Sequence, residues 1–338
     1  MGSRSTRQGR NPLQRSFATG EKPRAANCPL CGSADLSVLT TELRKGPGRV
    51  LHCASCDLGV LEERPRELAD YYAKEYWNTH GPDLTKRSDY EEVFHSYVNY
   101  QMRRLDLLTP LLGPSCRLLE VGCATGHFLY NVKPLVAQAV GVDYDAGAAG
   151  YAKEKTGCET FGGALAASGL PKASFDVVCA FQTLEHVPDP VAFARELGEY
   201  LRPGGSLVIE VPSLHDPLLS IFPVPAYRRF YYHTEHLLYF TPRSLRKALD
   251  QAGFTGEIHY VQDYNFTNHL NWVFMDRPQP NCHAGLGKAS LPLSAHLRAD
   301  ARGAVERWIE SVDQSYKRLL AELKLTENIT FIGQAHSL

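Results

Sequence analysis

The stretch LLEVGCATGHFL, residues 118–129, decides how this sequence folds. Its first half is a short apolar run typical of a buried strand, and its end continues directly into a helix. Between them lies a tight turn of small residues, Gly122, Ala124 and Gly126, which lets a ligand approach the backbone. A pyrophosphate ligand is disfavoured, because the turn lacks a P-loop lysine and the final glycine of G-x-G-x-x-G. The stretch predicts a strand, a ligand-binding turn and a helix.

The pattern of strand followed by helix continues along the chain. Three more buried strands are predicted, at 138–143, 175–181 and 206–211. Two helices are predicted from Asp189 to Gly204 and from Thr241 to Gly253, since each begins with a capping residue followed by proline and ends at glycine. Such alternation predicts an α/β fold with a parallel, doubly wound sheet. Asp143 ends the second strand, where a carboxylate can accept hydrogen bonds from ribose hydroxyls.

These segments resemble four motifs of the class I S-adenosylmethionine-dependent methyltransferases. They are LLEVGCATGHFL for the first motif, VGVDYD for the acidic end of the second strand, FDVVCAFQTLEHVPDP for the fourth strand and LRPGGSLVIEVP for the fifth. The resemblance covers about residues 116–264 and implies a Rossmann-like sheet with S-adenosyl-L-methionine as cofactor. It places eight residues around this cofactor: Glu120, Gly122, Ala124, Gly126, Asp143, Tyr144, Phe181 and Gln182. The family often has an acidic residue after the third strand for the adenine amine, but GGALAASGLP has none, so backbone groups near Ala164 and Leu165 are expected to serve instead.

Three motif positions either depart from the family or have a second interpretation. Ala124 stands where glycine is commoner in the family, and it adds one methyl group to the turn. Glu120, and His186 in the LEH sequence, could orient loops rather than contact the reacting groups.

Four of the nine cysteines form two matched pairs, in CPLC at 28–31 and CASC at 53–56. Two such knuckles direct four thiolates at one centre, and a reducing compartment leaves these thiols free to hold tetrahedral zinc. The predicted metal ligands are Cys28, Cys31, Cys53 and Cys56. Four thiolates close the coordination shell, so this Zn²⁺ is expected to be structural rather than catalytic.

The composition is that of an ordinary globular chain, 43% hydrophobic and 22% charged. No apolar run is long enough for a membrane span, and no signal peptide precedes the first module, so we expect a cytoplasmic protein with no membrane partner. The net charge of −1 is uneven, since residues 1–27 carry +5 and the remainder −6. An acidic body is a poor match to a phosphate backbone and disfavours a nucleic-acid partner.

Two insertions distinguish this chain from a minimal methyltransferase. The first, residues 213–240, follows the fifth strand at its carboxyl end and should project over the cofactor. The second, about 266–326, separates two final strands predicted at 257–264 and 328–335, which the family pairs as an antiparallel hairpin. We expect this second insertion to form a helical cap. An apolar stripe on its helix favours core packing or a homodimer contact over substrate binding.

The first insertion contains RRFYYHTEHLLYF, residues 228–240. It is similar in part to a Tyr-His-Glu-His stretch of antibiotic-sugar C-methyltransferases, although one inserted residue puts His233 in the tyrosine's place. The candidate catalytic residues are His236, His233 and Tyr232, because a histidine near neutral pH is the natural acceptor of a proton. Each could instead be a hydrogen-bonded strut.

The whole organisation is similar to small-molecule methyltransferases with an N-terminal zinc ribbon, a group that acts on nucleotide-linked sugars and other natural products. The resemblance implies methyl transfer to an oxygen or carbon nucleophile of a small polar acceptor. Two alternatives stay open, an RNA-modifying methyltransferase and a non-catalytic protein that binds S-adenosylmethionine. The predicted division is a disordered basic tail at 1–27, a zinc-binding module at 28–62, a helical linker or lid at 63–115 and a methyltransferase domain at 116–338.

Overall fold

The computed structural model describes residues 27–63, 82 and 88–336. Nearly all of the basic tail predicted at 1–27 lies outside these residues, and so does a large part of the linker predicted at 63–115. No helix of the described residues is long and apolar enough to cross a membrane.

The described chain alternates strands and helices after an all-strand start. The strands are β1 Leu36–Leu43, β2 Gly46–Cys53, β3 Gly59–Leu61, β4 Arg117–Val121, β5 Gln138–Asp143, β6 Glu159–Gly162, β7 Phe175–Phe181, β8 Leu201–Pro212, β9 Leu238–Tyr239, β10 Phe254–Val261 and β11 Asn328–Ala335. The α-helices are α1 Tyr90–Tyr97, α2 Met102–Leu108, α3 His127–Val132, α4 Ala146–Thr156, α5 Pro190–Gly198, α6 Pro217–Ser220, α7 Pro225–Tyr231, α8 Pro242–Ala252, α9 Phe266–Met275, α10 His283–Leu286 and α11 Ala299–Glu322.

The main sheet has seven strands in the order β10-β11-β8-β7-β4-β5-β6. The five strands from β8 to β6 are parallel, and at one edge β11 pairs antiparallel with both β8 and β10. This is the doubly wound sheet that the sequence predicts. The strand order reverses beside β4, so the carboxyl end of β4 is where such folds open a ligand crevice.

Local sequence explains most of the element ends. Thr241 caps α8 by accepting from the Ser244 amide, and Gly253 ends it in the left-handed conformation with φ +97°. The helix predicted from Asp189 is α5, but it ends at Gly198 rather than at Gly204. The reason is tertiary: Leu201 already pairs with Phe175 in the parallel ladder, so the chain becomes strand three residues after the helix ends.

A second, smaller sheet has the order β1-β2-β3-β9. Its first three strands belong to the N-terminal module, whereas β9 comes from the insertion at 213–240. The pairing is antiparallel, with Gly59 opposite Tyr239 and Val60 opposite Leu238. Buried residues of both sheets form one continuous hydrophobic cluster. The insertion therefore joins the N-terminal module to the main sheet.

The segment predicted as a cap, about 266–326, contains α9, α10 and α11. It connects β10 to β11, and the α11 side chains Ile309 and Leu320 are buried. Trp308, Leu319 and Leu323 of the same apolar stripe are exposed, so core packing accounts for part of the stripe only.

Candidate active site

A cavity of about 590 Å³ opens at the carboxyl ends of β4, β5, β7 and β8. One end is lined by residues at the ends of β4 and β5 and after β6, and we call it the cofactor end. The other end is lined by residues after β7, by the insertion at 213–240 and by the segments flanking the cap, and we call it the acceptor end. Val121, Asp143 and Leu165 line the first, and Glu185, His236 and Glu327 line the second.

The turn after β4 explains why small residues stand there. Gly122 has φ +82°, and a Cβ atom at this position would lie 2.3 Å from Thr183 Oγ1. Ala124 also has a left-handed backbone, with φ +46°, and its amide donates to Asp143 Oδ2 at 2.7 Å. Asp143 Oδ1 accepts from the Asp145 amide at 2.9 Å. The carboxylate at the end of β5 therefore fixes the turn after β4.

Two carboxyl groups give the cofactor end its acidic character. Burial raises the pKa of Asp143 to about 6. Burial also holds the pKa of Glu120 well above its usual value, and the nearby Arg104 guanidinium opposes this. Glu120 is 2% exposed, and its Oε2 has no hydrogen-bond partner among the described residues. An unpaired buried carboxyl group is costly, so this position favours a cationic or hydrogen-bond-donating ligand.

Eight of the ten residues expected around the cofactor line this cavity: Glu120, Gly122, Ala124, Asp143, Tyr144, Leu165, Phe181 and Gln182. Gly126 and Ala164 do not line it. A Cβ atom on Gly126 would lie 2.8 Å from the Ala152 Cβ, so this glycine allows α3 to pack against α4. Gly163 lines the cavity beside the position expected for Ala164.

Three further residues line the cofactor end without having been assigned a role from the sequence. Tyr97 ends α1, Tyr100 follows it, and His127 begins α3. Burial, together with the nearby Arg104 guanidinium, lowers the pKa of His127 to about 3, so the imidazole is neutral. Among the aromatic residues before β4, the sequence offered no periodicity that would have distinguished these two tyrosines.

A buried ion pair crosses the floor of the cavity between its two ends. Arg104 donates to Glu210 Oε1 from Nη2 at 2.5 Å and from Nε at 3.0 Å. Gln182 donates to the same oxygen at 3.2 Å and to Asn328 Oδ1 at 3.1 Å. This network ties α2, β7, β8 and β11 together beneath the cavity.

The acceptor end brings together His236 of the insertion with Glu185 and His186, which follow β7. His236 Nε2 lies 3.9 Å from Glu185 Oε1, and His186 Nε2 lies 3.8 Å from the same oxygen. Burial lowers the pKa of His236 well below its usual value, and the neighbouring His233 and His186 lower it further. His236 is therefore neutral. Glu185 received no role from the sequence, although it stands in the same LEH sequence as His186.

The other two catalytic candidates occupy different positions. His233 and Tyr232 are buried but do not line the cavity. His233 Nδ1 is 3.0 Å from Glu235 Oε2, and the His233 amide donates to the Tyr239 hydroxyl. The Tyr232 carbonyl accepts from the Arg44 amide at 2.7 Å. His233 thus bonds within the insertion, whereas Tyr232 joins the insertion to the turn between β1 and β2.

The N-terminal module supports the insertion through backbone hydrogen bonds and through the side chain of Arg44. The Leu61 amide donates to the Leu237 carbonyl at 2.9 Å, and the Leu237 amide donates to the Glu185 carbonyl at 2.9 Å. Arg44 Nε donates to the Phe230 carbonyl at 2.6 Å, and its guanidinium lies 3.8 Å from the centre of the Phe230 ring. A chain of hydrogen bonds thus runs from β3 through Leu237 to Glu185.

The four cysteines of the predicted zinc site converge in this module. Their Sγ atoms all lie within 4.8 Å of one another, with Cys28 and Cys56 3.5 Å apart and Cys31 and Cys53 3.5 Å apart. All four are free thiols. Tetrahedral zinc with bonds of about 2.3 Å places its sulfur ligands about 3.8 Å apart, so this donor set fits a Zn²⁺ ion.

Comparison with known proteins assigns the central part of the chain to a family. Residues 92–258 match the family of methyltransferase domains. The matched stretch, just under half of the chain, is a methyltransferase domain similar to those of class I S-adenosylmethionine-dependent methyltransferases. The methyltransferase domain contains the turn after β4, Asp143 and the Glu185–His186 sequence.

Curated relatives match parts of the methyltransferase domain. A probable S-adenosylmethionine-dependent methyltransferase of Mycobacterium tuberculosis is 34% identical over 119 residues, which are 34% of this chain and 43% of that protein. A ubiquinone biosynthesis O-methyltransferase of Cereibacter sphaeroides is 31% identical over 160 residues, 43% of this chain and 62% of that protein. The match thus spans less than two thirds of either relative. The fold can also be aligned with the crystal structure of a SAM-dependent methyltransferase from Archaeoglobus fulgidus. The alignment includes 72% of this chain and 97% of the Archaeoglobus chain, with 18% identity and a TM-score of 0.45.

The cofactor end fits S-adenosylmethionine on its own chemistry. Gly122 leaves the backbone accessible where a side chain would collide with Thr183. Asp143 has lone pairs left that can accept hydrogen bonds from hydroxyl groups, and Glu120 lines the cavity with one carboxyl oxygen that has no hydrogen-bond partner among the described residues. Tyr144, 47% exposed, can cover a flat base at the mouth of the cavity.

Proposed function

We propose that this protein transfers the methyl group of S-adenosylmethionine to an oxygen or carbon nucleophile of a small polar metabolite, such as a nucleotide sugar or another natural-product intermediate. One observation carries the proposal: a single cavity connects the turn of the methyltransferase domain to Glu185, His186 and His236. The cofactor end and a cluster of proton-accepting groups therefore share one space. An O-methyltransferase among the relatives supports an oxygen acceptor.

The cofactor supplies a methyl group already activated by its sulfonium charge. In the transfer, a bond forms between the acceptor atom and the methyl carbon, the carbon–sulfur bond breaks, and its electron pair stays on sulfur. The acceptor proton has to leave as well. Alignment of two bound reactants can lower such a barrier by about 7 to 11 kcal/mol, so positioning is the main task of the chain.

His236 is the residue that we assign to the acceptor proton. It is neutral, it lines the acceptor end and its Nε2 faces Glu185. Control of one proton near neutral pH typically contributes a factor of about 10² to 10⁴ in rate. His233 and Tyr232 act through the insertion that carries His236, since neither lines the cavity.

We further propose that Cys28, Cys31, Cys53 and Cys56 hold a structural Zn²⁺ ion. The convergence of four free thiols supports this assignment. The module that they organise contributes β3, whose pairing with β9 positions the insertion.

The test measures cofactor affinity by calorimetry and release of S-adenosylhomocysteine with panels of nucleotide sugars and hydroxylated aromatic acceptors. His236→Gln should keep cofactor affinity and lose at least about tenfold in turnover. His259→Gln, on β10 outside the cavity, is the matched control and should change neither.

Two outcomes would contradict the proposal. Cofactor binding without turnover on any acceptor would favour a non-catalytic protein. Turnover on RNA, with retention on heparin at physiological salt, would favour an RNA-modifying enzyme. Unchanged turnover in His236→Gln would remove His236 from the mechanism.

A further inference from the structure

Three side chains at the acceptor end are arranged like metal ligands. One donor atom each from Glu185, His186 and His236 lies within 4.8 Å of the other two. Nitrogen ligands of zinc lie about 2.0 to 2.1 Å from the metal, so neighbouring ligands are about 3.4 Å apart in a tetrahedral site. The measured separations of 3.8 and 3.9 Å need only small side-chain movements to reach that value.

The Glu185 carboxyl group has no hydrogen bond to any residue that the structure describes. It is 1% exposed, and neither of its carboxyl oxygens has a hydrogen-bond partner among the described residues. The two imidazole nitrogens are too distant to be hydrogen-bonded to it, since such bonds have lengths of about 2.7 to 3.2 Å. Buried carboxyl groups in proteins are nearly always paired or bound to a metal, so the unpaired Glu185 indicates a ligand-binding position.

The tautomers of the two histidines suit metal binding. His186 Nδ1 is 2.9 Å from the Glu235 carbonyl, which can only accept, so Nδ1 carries the proton and Nε2 keeps its lone pair. Hydrogen bonding of the second ring nitrogen to a carbonyl is the usual way in which a metal-binding histidine is oriented. His236 is neutral because it is buried, so it too can offer a lone pair.

We propose that Glu185, His186 and His236 bind a divalent cation, and that the acceptor binds this cation through two neighbouring oxygen atoms. The inference rests on the proposed function and specifies how its acceptor end works. Two imidazoles and one carboxylate favour the series from Mn²⁺ to Zn²⁺, whereas Mg²⁺ and Ca²⁺ prefer sets of oxygen ligands. Three protein ligands leave coordination positions open toward the cavity.

In this site His236 controls the acceptor proton as a ligand of the cation, not by accepting the proton itself. A bound cation lowers the pKa of an oxygen acid that it coordinates, so an acceptor hydroxyl can release its proton to water near neutral pH. It also fixes the acceptor oxygen in position by two bonds rather than by one. An acceptor with a vicinal pair of oxygens, such as a 1,2-diol or a catechol, has the matching geometry.

The experiment uses Mn²⁺ as the probe and the full chain loaded with zinc. Mn²⁺ prefers oxygen and nitrogen ligands, so it should not compete for four thiolates. Electron paramagnetic resonance, in which free Mn²⁺ gives the signal, should show one equivalent bound. Glu185→Gln and His236→Gln should each weaken this binding by at least about tenfold. Loss of a residue that only hydrogen-bonds to a metal ligand typically lowers metal affinity by about 10- to 100-fold, and loss of the ligand itself should lower it at least as much.

Glu196→Gln is the matched control, because Glu196 is a carboxylate that lines the same cavity outside the three ligands. It should leave Mn²⁺ affinity unchanged. With Mn²⁺ present, 1,2-dihydroxybenzene should bind at least about tenfold more tightly than 1,4-dihydroxybenzene, which has the same groups but cannot chelate. This difference should vanish in Glu185→Gln.

Absence of Mn²⁺ binding to the zinc-loaded chain would overturn the inference, as would binding that Glu185→Gln and His236→Gln leave intact. In that case Glu185 is a neutral carboxyl group, in line with its burial-raised pKa of about 8. Cofactor affinity, measured on each variant, reports whether the domain is folded. A chain that binds S-adenosylmethionine and turns over without a cation refutes this inference alone, whereas a chain that binds Mn²⁺ but not the cofactor refutes the proposed function alone.

Discussion

The two ends of the cavity are built in different ways. The cofactor end comes largely from one continuous stretch, the β4 strand, its turn, α3 and β5, in which Asp143 holds the turn through the Ala124 amide. The acceptor end comes from segments far apart in sequence, with Glu185 after β7, His236 in the insertion and Glu327 before β11. It also depends on the N-terminal module through the contact of Leu61 with Leu237.

The cofactor end is thus held mainly by residues of its own stretch, whereas the acceptor end depends on contacts with other parts of the chain. A turn that is fixed by its own neighbours should tolerate changes elsewhere in the chain. A site that relies on the pairing of β3 with β9 should respond to changes in a module that touches no substrate. Four substitutions test the contrast, beginning with the one of largest expected effect.

Cys53→Ser should release the zinc and weaken the whole N-terminal module. Binding energies of structural zinc in isolated peptides are about 10 to 16 kcal/mol, so a loss of several kcal/mol in unfolding free energy is expected. Metal content by mass spectrometry and chemical denaturation measure the two effects. Cys282→Ser, at a buried cysteine outside the four-thiol cluster, is the control and should keep one zinc per chain. One equivalent of zinc in Cys53→Ser would refute the ligand assignment.

Asp143→Asn should affect the cofactor end alone. The Asp143 carboxylate oxygens accept hydrogen bonds from the Ala124 and Asp145 amides. In the asparagine variant, the side-chain NH₂ group would face one of these two amides, and that hydrogen bond would be lost. S-adenosylmethionine affinity should fall by about 10- to 100-fold, the value of one or two charged hydrogen bonds. Mn²⁺ affinity should be unchanged. Asp106→Asn, an exposed position on α2, controls for the loss of charge.

The pH dependence of the wild-type protein provides an independent check on Asp143. Ribose hydroxyls donate to the ionised carboxylate, and the pKa of this group in the free chain is about 6. Cofactor affinity should therefore decrease as the pH falls below about 6, by up to about tenfold per pH unit. Asp143→Asn should lose this step. A flat profile between pH 8 and 5 would show that ionised Asp143 does not bind the cofactor.

Gly59→Ala should affect the acceptor end alone. A Cβ atom at this position would lie 2.9 Å from the Tyr239 Cβ and 3.3 Å from Leu214 Cδ1, which pushes β9 away from β3. Such overpacking typically costs about 1 to 3 kcal/mol of unfolding free energy. Mn²⁺ affinity should fall while S-adenosylmethionine affinity stays the same. Gly113→Ala is the control, since a Cβ atom there meets nothing within 4 Å. Equal loss of both ligands would mean that the two ends are not independent.

Ala124→Gly should have the smallest effect. Ala124 has a left-handed backbone that costs a residue with a Cβ about 1 kcal/mol or more, and glycine removes this cost at the expense of greater freedom in the unfolded chain. The unfolding free energy should rise by up to about 1 kcal/mol, as measured by denaturation. Ala173→Gly has a similar φ of +50° away from the cavity and should gain a similar amount without any change in cofactor affinity. A destabilised Ala124→Gly would show that the methyl group makes a contact that outweighs the strain.

The cofactor end could be predicted from the sequence because its determinants are local. Gly122 is required by its own backbone angle, and Asp143 ends a strand whose apolar run is visible in the letters. The strands β5, β7 and β11 were predicted with their observed bounds. The end of α5 was misplaced, because the strand pairing of Leu201 with Phe175 is a tertiary effect that no cap or glycine signals.

The acceptor end could be predicted only in part. His236 was a candidate because histidine is the natural proton acceptor near neutral pH, whereas Glu185 has the ordinary appearance of an acidic residue in a short turn. Its burial and its missing partners arise only when the insertion folds over it. The C-x2-C spacing revealed the four cysteines, because the two residues of each pair are close in sequence. No spacing could reveal the proposed ligands Glu185, His186 and His236, because they come from two distant segments.

The hydrogen bond between Leu61 and Leu237 joins residues separated by about half of the chain. During synthesis, β3 therefore leaves the ribosome long before its partner β9 exists. Until then β3 is an uncovered sheet edge of three apolar or glycine residues, the kind of edge on which chains associate wrongly. Early capture of zinc would order the module but would leave this edge open, so the newly made N-terminal half has its greatest exposure to misassembly before residue 239 is added.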